Sequence, residues 1–130
     1  MKFLLDTNAL LYWLAGSPRI NHSLKKQLTN PRNEVFVSAV STFEIAVKAR
    51  LGRLTLSQSP GLLLPRFFAE AGLTALPITL EHGLAVYDLP KHHADPFDRM
   101  LIAQAIVEDL TIVSSDRAFG AYPIRLDFIQ

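Results

Sequence analysis

Cysteine is absent from this chain. That excludes a disulfide framework, a cysteine zinc finger, an iron–sulfur site and a thiol nucleophile, and it fits a reducing compartment, so the cytoplasm is the expected location. No excess of charge of either sign exists, since 13 Lys and Arg face 12 Asp and Glu for a formal net charge of +1. A chain so near neutrality has no general field for phosphate, so a nucleic-acid partner would have to be held by local basic clusters or through metal ions. Long apolar runs are missing too: Ala9 to Ala15 and Gly61 to Leu64 fall well short of the ~20 residues that cross a bilayer. Met1 to Leu5 begins like a signal peptide, but Asp6 interrupts it at once and the segment reads as structure. Repeats, low-complexity stretches and like-charge blocks are lacking. So are a P-loop, a G-x-G-x-x-G fingerprint, a G-x-S-x-G elbow and an H-E-x-x-H pair.

What is present is material for a core. At 130 residues and 49% hydrophobic, the chain reads as one domain over 1–130 and not as a disordered tail. Short β-like runs at Lys2–Leu5, Glu34–Ser38, Thr74–Ile78 and Leu110–Ser114, with a closing one at Ile124–Phe128, alternate with helical patterns at 8–15, 21–29, 41–51, 60–71, 79–87 and 96–108. Asn21, Ser41 and Asp95 are residue types that cap helix starts, and Gly52 and Gly72 stand where helices stop. Strands that are almost continuously apolar belong to a sheet covered on both faces, and the intervening helices supply the crossovers that parallel pairing requires. The expected fold is therefore α/β: a three-layer α/β/α sandwich with a central, mostly parallel sheet. Ligands of such sheets gather beyond the carboxyl ends of the strands, where the strand order reverses.

Acids cluster in the sequence at those places. Asp6 follows the first strand directly and Asp116 follows the fourth, while Glu44 lies about one helical turn after the second strand and Asp98 lies in the first turn of the helix opened by Asp95-Pro96. If the strands are parallel, four carboxylates converge on one edge. Taken singly, each has an ordinary local explanation. Asp6-Thr7-Asn8 reads as a helix-capping turn, Ser41 and Glu44 as a capping box, Asp95 as an N-cap with Asp98 at N3, and Asp116 as a turn residue. Taken together without a compensating run of Lys or Arg, such acids repel one another and suffer desolvation unless they protonate or hold a cation. Mg²⁺ or Mn²⁺ answers that requirement and suits phosphodiester hydrolysis.

The pair His92-His93 before Asp95 suggests zinc, but no second histidine pair completes a tetrahedral set. His93 is expected to order the loop before the Asp95 helix, and His22 and His82 are expected at the surface. Lys48 and Arg99, each close in sequence to an acid of the group, are candidates to hold substrate phosphate or to tether a carboxylate. Arg50 and Arg53 would add a basic rim if they point the same way. Two apolar segments, Leu10 to Leu14 and Leu62 to Phe68, hold more apolar surface than a small domain can bury on one face, which leaves some for a partner.

These residues resemble the PIN-domain nucleases and, within them, the VapC-like toxins of bacterial toxin–antitoxin pairs. The likeness runs nearly full length through Phe3-Leu4-Leu5-Asp6-Thr7-Asn8, Ser41-Thr42-Phe43-Glu44 with Leu51-Gly52-Arg53-Leu54, the H-x-D-P-F-D-R block from His93 to Arg99, and Ile112-Val113-Ser114-Ser115-Asp116. The resemblance implies a metal-binding and catalytic quartet of Asp6, Glu44, Asp98 and Asp116. In it Asp6 and Asp98 ligate Mg²⁺ (or Mn²⁺) directly, and Glu44 and Asp116 complete the pocket directly or through water. It further implies supporting roles for Thr7, Asp95 and Ser114 or Ser115, an RNA substrate, a VapB-like antitoxin partner and a homodimer. A haloacid-dehalogenase-like phosphatase also begins with a strand ending in Asp, but needs a second Asp where this chain has Asn8. A receiver-type signalling domain would need an acidic pair after the first strand and a phosphorylatable Asp at a mid-chain strand end, and neither is seen. A degenerate PIN scaffold that binds RNA or protein without cutting would not need all four acids.

Overall fold

Phe3, Leu4 and Leu5 are consecutive apolar residues, so a strand made from them is stable only if both its faces are covered. The structure of the chain, a computed structural model, describes residues 1–130 and shows that arrangement. The elements are β1 (Lys2–Leu5), α1 (Thr7–Leu14), α2 (His22–Thr29), β2 (Glu34–Ser38), α3 (Ala39–Arg50), α4 (Pro60–Ala71), β3 (Leu73–Leu76), α5 (Leu80–Ala85), α6 (Pro96–Glu108), β4 (Thr111–Ser114) and β5 (Arg125–Phe128). Short 3₁₀ turns at Val86–Asp88 and Arg117–Ala121 follow α5 and β4. The sheet has the order β3-β2-β1-β4-β5, and every neighbouring pair is parallel. Successive side chains go to opposite faces. Phe3, Leu5, Val35, Val37 and Val113 join one core with α1, α2 and Leu64 of α4, while Leu4 and Ile112 join another with Leu101, Ile102 and Ala105 of α6. Helices cover both faces of a parallel sheet, as the apolar pattern predicts.

Three local departures from the sequence reading have simple causes. The third strand ends at Leu76 because Pro77 has no N–H for the ladder. The third helix starts at Ala39 and not at 41, because Ser38 is itself a capping residue and its hydroxyl accepts the Val40 N–H at 3.0 Å. Ser41 is therefore no N-cap, and Glu44 makes no capping box with it. The fifth helix is one short segment that tightens into a 3₁₀ turn. The stop at Gly72 is as predicted: its φ of 70° lies in the left-handed region, and its N–H bonds Phe68 O. No helix is long and apolar enough to cross a membrane.

Candidate active site

Chain order runs from β1 to β2 on one side and reaches β4 on the other only later, so the order reverses at β1. Asp6 leaves β1 there, its backbone N–H bonding Val113 O at 3.1 Å. One carboxylate oxygen, Oδ1, accepts the Ala9 N–H at 2.7 Å and caps α1. The other, Oδ2, accepts the Ser114 hydroxyl of β4 at 2.5 Å. Ser114 Oγ in turn accepts the Asp116 N–H at 2.9 Å. Asp116 divides its oxygens in the same way, with Oδ1 on the Ala118 N–H at 2.9 Å and Oδ2 at 2.9 Å from His93 Nε2. The capping roles are thus real, and they are what fix each acid at the sheet edge with its second oxygen turned inward.

Glu44, in the middle of α3, is buried. It accepts the Thr7 hydroxyl at 2.7 Å on Oε1 and Lys48 Nζ at 2.5 Å on Oε2, and Ser41 Oγ stands 3.0 Å from the Thr7 hydroxyl. Asp98 opens α6, whose N-cap Asp95 accepts the Phe97 N–H at 2.8 Å and the Asp98 N–H at 3.4 Å. The Asp98 carboxylate itself accepts no hydrogen bond and has no cationic partner, which sets it apart from its neighbours. Oxygen or nitrogen ligand atoms of His93, Asp98 and Asp116 all lie within 4.8 Å of one another.

Electrostatics ties the remaining acids to this group. Burial holds the Asp98 proton up to about 6; Asp95, Asp6 and Glu44 push the same way, and His93 pulls against them. Burial also raises Asp6 above the usual carboxylate range, opposed by the bonds from Ser114 and Ala9 and reinforced by Asp116 and Glu44. For Asp116, burial alone would raise the value, but the hydrogen bonds from His93 and the Ala118 N–H, with the His93 charge, bring it below the ordinary range. Asp6 therefore senses Glu44 and Asp116, and Asp98 senses Asp6 and Glu44, in a pocket where Lys48 pairs with Glu44 and His93 bonds Asp116. Hard oxygen donors in excess of local positive charge fit a divalent cation.

Several sequence expectations need correction. Arg99 tethers no carboxylate, and its guanidinium is taken up by backbone carbonyls. Nη1 donates to Pro90 O at 3.0 Å and His93 O at 3.4 Å, and Nη2 to Val86 O at 3.1 Å and Leu89 O at 3.4 Å, because the loop before α6 turns its carbonyls inward on that guanidinium. Of its two expected roles, Lys48 shows the carboxylate tether. Arg50 lines a cleft with Leu54 and Ser59, and neither it nor Arg53 pairs with the acids. Ser114, and not Ser115, makes the hydrogen bonds beside the last acid. His82 is fully buried, since its Nδ1 accepts the Thr79 N–H at 3.0 Å and its Nε2 meets Glu108 Oε2 at 3.0 Å. His93 does more than order a loop. Its ring packs on Phe119 and Tyr122, its Nδ1 lies 3.1 Å from the Tyr122 hydroxyl, and its Nε2 faces the acids. The signal for it was the first letter of the H-x-D-P-F-D-R block.

Away from the pocket, α4 leaves Leu62 exposed. It also borders two apolar clefts, one of about 540 Å³ lined by Phe43, Pro65 and Phe68, and one of about 380 Å³ lined by Leu11, Leu14, Leu56 and Leu63.

The model of one protein family, described as PIN domain, matches residues 3–124. No curated protein matches in sequence. Among solved structures, the chain is similar to one in the VapBC2 complex of Rickettsia felis bound to a DNA fragment from their promoter, with a TM-score of 0.76, 17% identity and 100% of both chains covered. It is similar to one in DNA-bound VapBC from Salmonella typhimurium, with a TM-score of 0.71, 18% identity and 100% and 99% of the two chains covered. It also matches one in a toxin–antitoxin complex from Klebsiella pneumoniae, with a TM-score of 0.66, 16% identity and 98% and 97% covered. At such identities the shared property is the fold.

Proposed function

This chain belongs to the PIN-domain family, and we propose that it is a Mg²⁺- or Mn²⁺-dependent endoribonuclease that hydrolyses single-stranded RNA as the toxin of a VapBC-type pair, acting in the cytoplasm as a homodimer of single-domain chains. The observation that carries this reading is the unpartnered carboxylate of Asp98 at the reversal of strand order, held to about 6 by burial with Asp95, Asp6 and Glu44, and with ligand atoms of Asp116 and His93 within 4.8 Å. A bound dication would lower the pKa of a water for attack on phosphorus and neutralise charge on the leaving oxygen. Asp6 and Asp98 would hold the ion directly, with Glu44 and Asp116 completing the pocket directly or through water. Ser114 orients Asp6 by its 2.5 Å bond, while Thr7 and Lys48 fix Glu44 from both sides. Lys48, half exposed beside the pocket, also offers charge to an approaching phosphate. The apolar clefts along α4 are the surface this reading gives to a VapB-like antitoxin.

The test is cleavage of single-stranded RNA with Mg²⁺ or Mn²⁺ by the wild type beside Asp6→Asn and Asp98→Asn. Cleavage by the wild type alone is expected. Equal activity in all three discards the mechanism, and metal binding with no cleavage of any RNA or DNA favours the non-cutting scaffold.

A further inference from the structure

The imidazole facing the acids is built like a ligand. His93 is nearly enclosed, with its ring tilted 34° on Phe119 and 29° on Tyr122, so its Nε2 has little freedom to point elsewhere. That nitrogen lies 2.9 Å from Asp116 Oδ2. Two adjacent donors on an octahedral ion with bonds of ~2.1 Å stand ~3 Å apart, so the pair already has the spacing of neighbouring ligands. Asp98 places a third donor within 4.8 Å of both.

The far side of the ring is suited to the same task. The Tyr122 hydroxyl accepts the His92 N–H at 3.2 Å and stands 3.1 Å from His93 Nδ1. A phenol can donate one hydrogen bond and accept two. It therefore serves a ring protonated at Nε2, by donating to Nδ1, and a ring protonated at Nδ1, by accepting from it. Moving one proton from Nε2 to Nδ1 through solvent frees the inward nitrogen at no net change in protonation, and Tyr122 then orients it as outer partners of metal-bound histidines do.

We propose that His93 Nε2 is a direct ligand of the divalent ion alongside Asp98 and Asp116, which makes the centre a mixed nitrogen and oxygen site that selects Mn²⁺ over Mg²⁺. Mg²⁺ is served by oxygen and sheds water reluctantly, whereas first-row transition ions accept imidazole. The inference rests on the metal-dependent reading of the same pocket.

The experiment is Mn²⁺ titration of the full chain followed by pulsed electron paramagnetic resonance of the bound ion, with Mg²⁺ affinity measured by competition. In the wild type the Mn²⁺ signal is expected to carry a nitrogen coupling that changes when the chain is made with ¹⁵N-histidine, a measurement that needs no variant to fold. His93→Gln should remove the coupling and weaken Mn²⁺ by about tenfold or more while Mg²⁺ changes less, so that the preference between the ions shrinks. Bound Mn²⁺ with no nitrogen coupling in the wild type, or a coupling that persists in His93→Gln, overturns the inference and leaves the nuclease reading standing. Failure of the folded wild type to bind Mn²⁺ overturns the inference, and failure to bind Mg²⁺ as well overturns both.

Discussion

Two histidines in this molecule meet an acid at nearly the same distance, His82 with Glu108 at 3.0 Å and His93 with Asp116 at 2.9 Å, in surroundings of opposite character. Around His82 the polar groups are spent on one another, Gln104 Oε1 alone excepted. Thr79 Oγ1 accepts the His82 N–H at 3.2 Å, His82 Nδ1 accepts the Thr79 N–H, and Gln104 Nε2 donates to Pro77 O at 3.3 Å, so the start of α5 is locked to α6. Around His93 one carboxylate is left over: Asp98 has no partner, and three further acids press on it. A histidine–acid pair is therefore no sign of chemistry in itself. Uncompensated charge beside it is the sign, because burying a carboxylate without a partner costs more than a place in a helix's first turn returns.

The comparison breaks most visibly if Asp98 can be neutralised without consequence. Asp98→Asn keeps the shape and removes the surplus charge, and RNA cleavage should fall by roughly 10³-fold or more, the scale of losing several kcal/mol of metal-supplied stabilisation. A rate within a few-fold of wild type would make Asp98 an ordinary first-turn acid. His82→Ala should do the converse. It opens a cavity and removes a reciprocal cap, so denaturant unfolding should show a loss of about 2–4 kcal/mol, while Mn²⁺ affinity of the folded variant stays within about twofold. A large change in metal affinity would mean that the two regions are not independent.

Arg99 links them. Its carbonyl partners at Val86, Leu89 and Pro90 belong to the segment after α5, and the one at His93 belongs to the pocket. Arg99→Lys keeps the charge but loses the fork that reaches four carbonyls, so a destabilisation of about 1–2 kcal/mol is expected with Mn²⁺ affinity lowered several-fold through a less fixed His93. Unchanged thermal unfolding and unchanged affinity would show that the loop holds itself.

What was legible in the sequence follows from the range over which each signal acts. The apolar runs of β1, β2 and β4 state their own burial, and acids placed directly after strands, Asp6 and Asp116, announce the sheet edge. Asp95 and Asp98 are placed by the local rules of helix starts. Ser38 and Ser41 are equally good caps on paper, and only the direct passage from β2 into α3 decides between them. Burial of His82 depends on Gln104 and Glu108, more than twenty residues away. The aim of His93 depends on Phe119 and Tyr122, and the fate of Arg99 on where a loop turns its carbonyls. Local sequence rules have no access to such distant contacts.

The smallest expected effect is the sharpest test of surplus charge. Asp98 keeps its proton up to about 6 in the fold, against 3.8 ordinarily, so the folded state binds more protons than the unfolded chain between those limits. Metal-free stability from this group is therefore highest below pH 4, declines as pH rises through about 6, and is flat above it. Full enclosure would make the shift worth about 3 kcal/mol, but Asp98 is partly open to solvent and screened, so about 1–2 kcal/mol is expected over the whole interval and about 0.5–1 between pH 5 and pH 7. Other groups titrate in that range, so the measurement is the difference between wild type and Asp98→Asn in metal-free denaturant unfolding at the two pH values. The wild type should lose more on going to pH 7, and added Mn²⁺ should abolish the deficit, since a cation compensates what the fold leaves unpaired. An Asp98→Asn chain that loses as much as the wild type would put the surplus charge elsewhere in the pocket, with Asp6 as the next acid to neutralise, because burial raises it in the same direction.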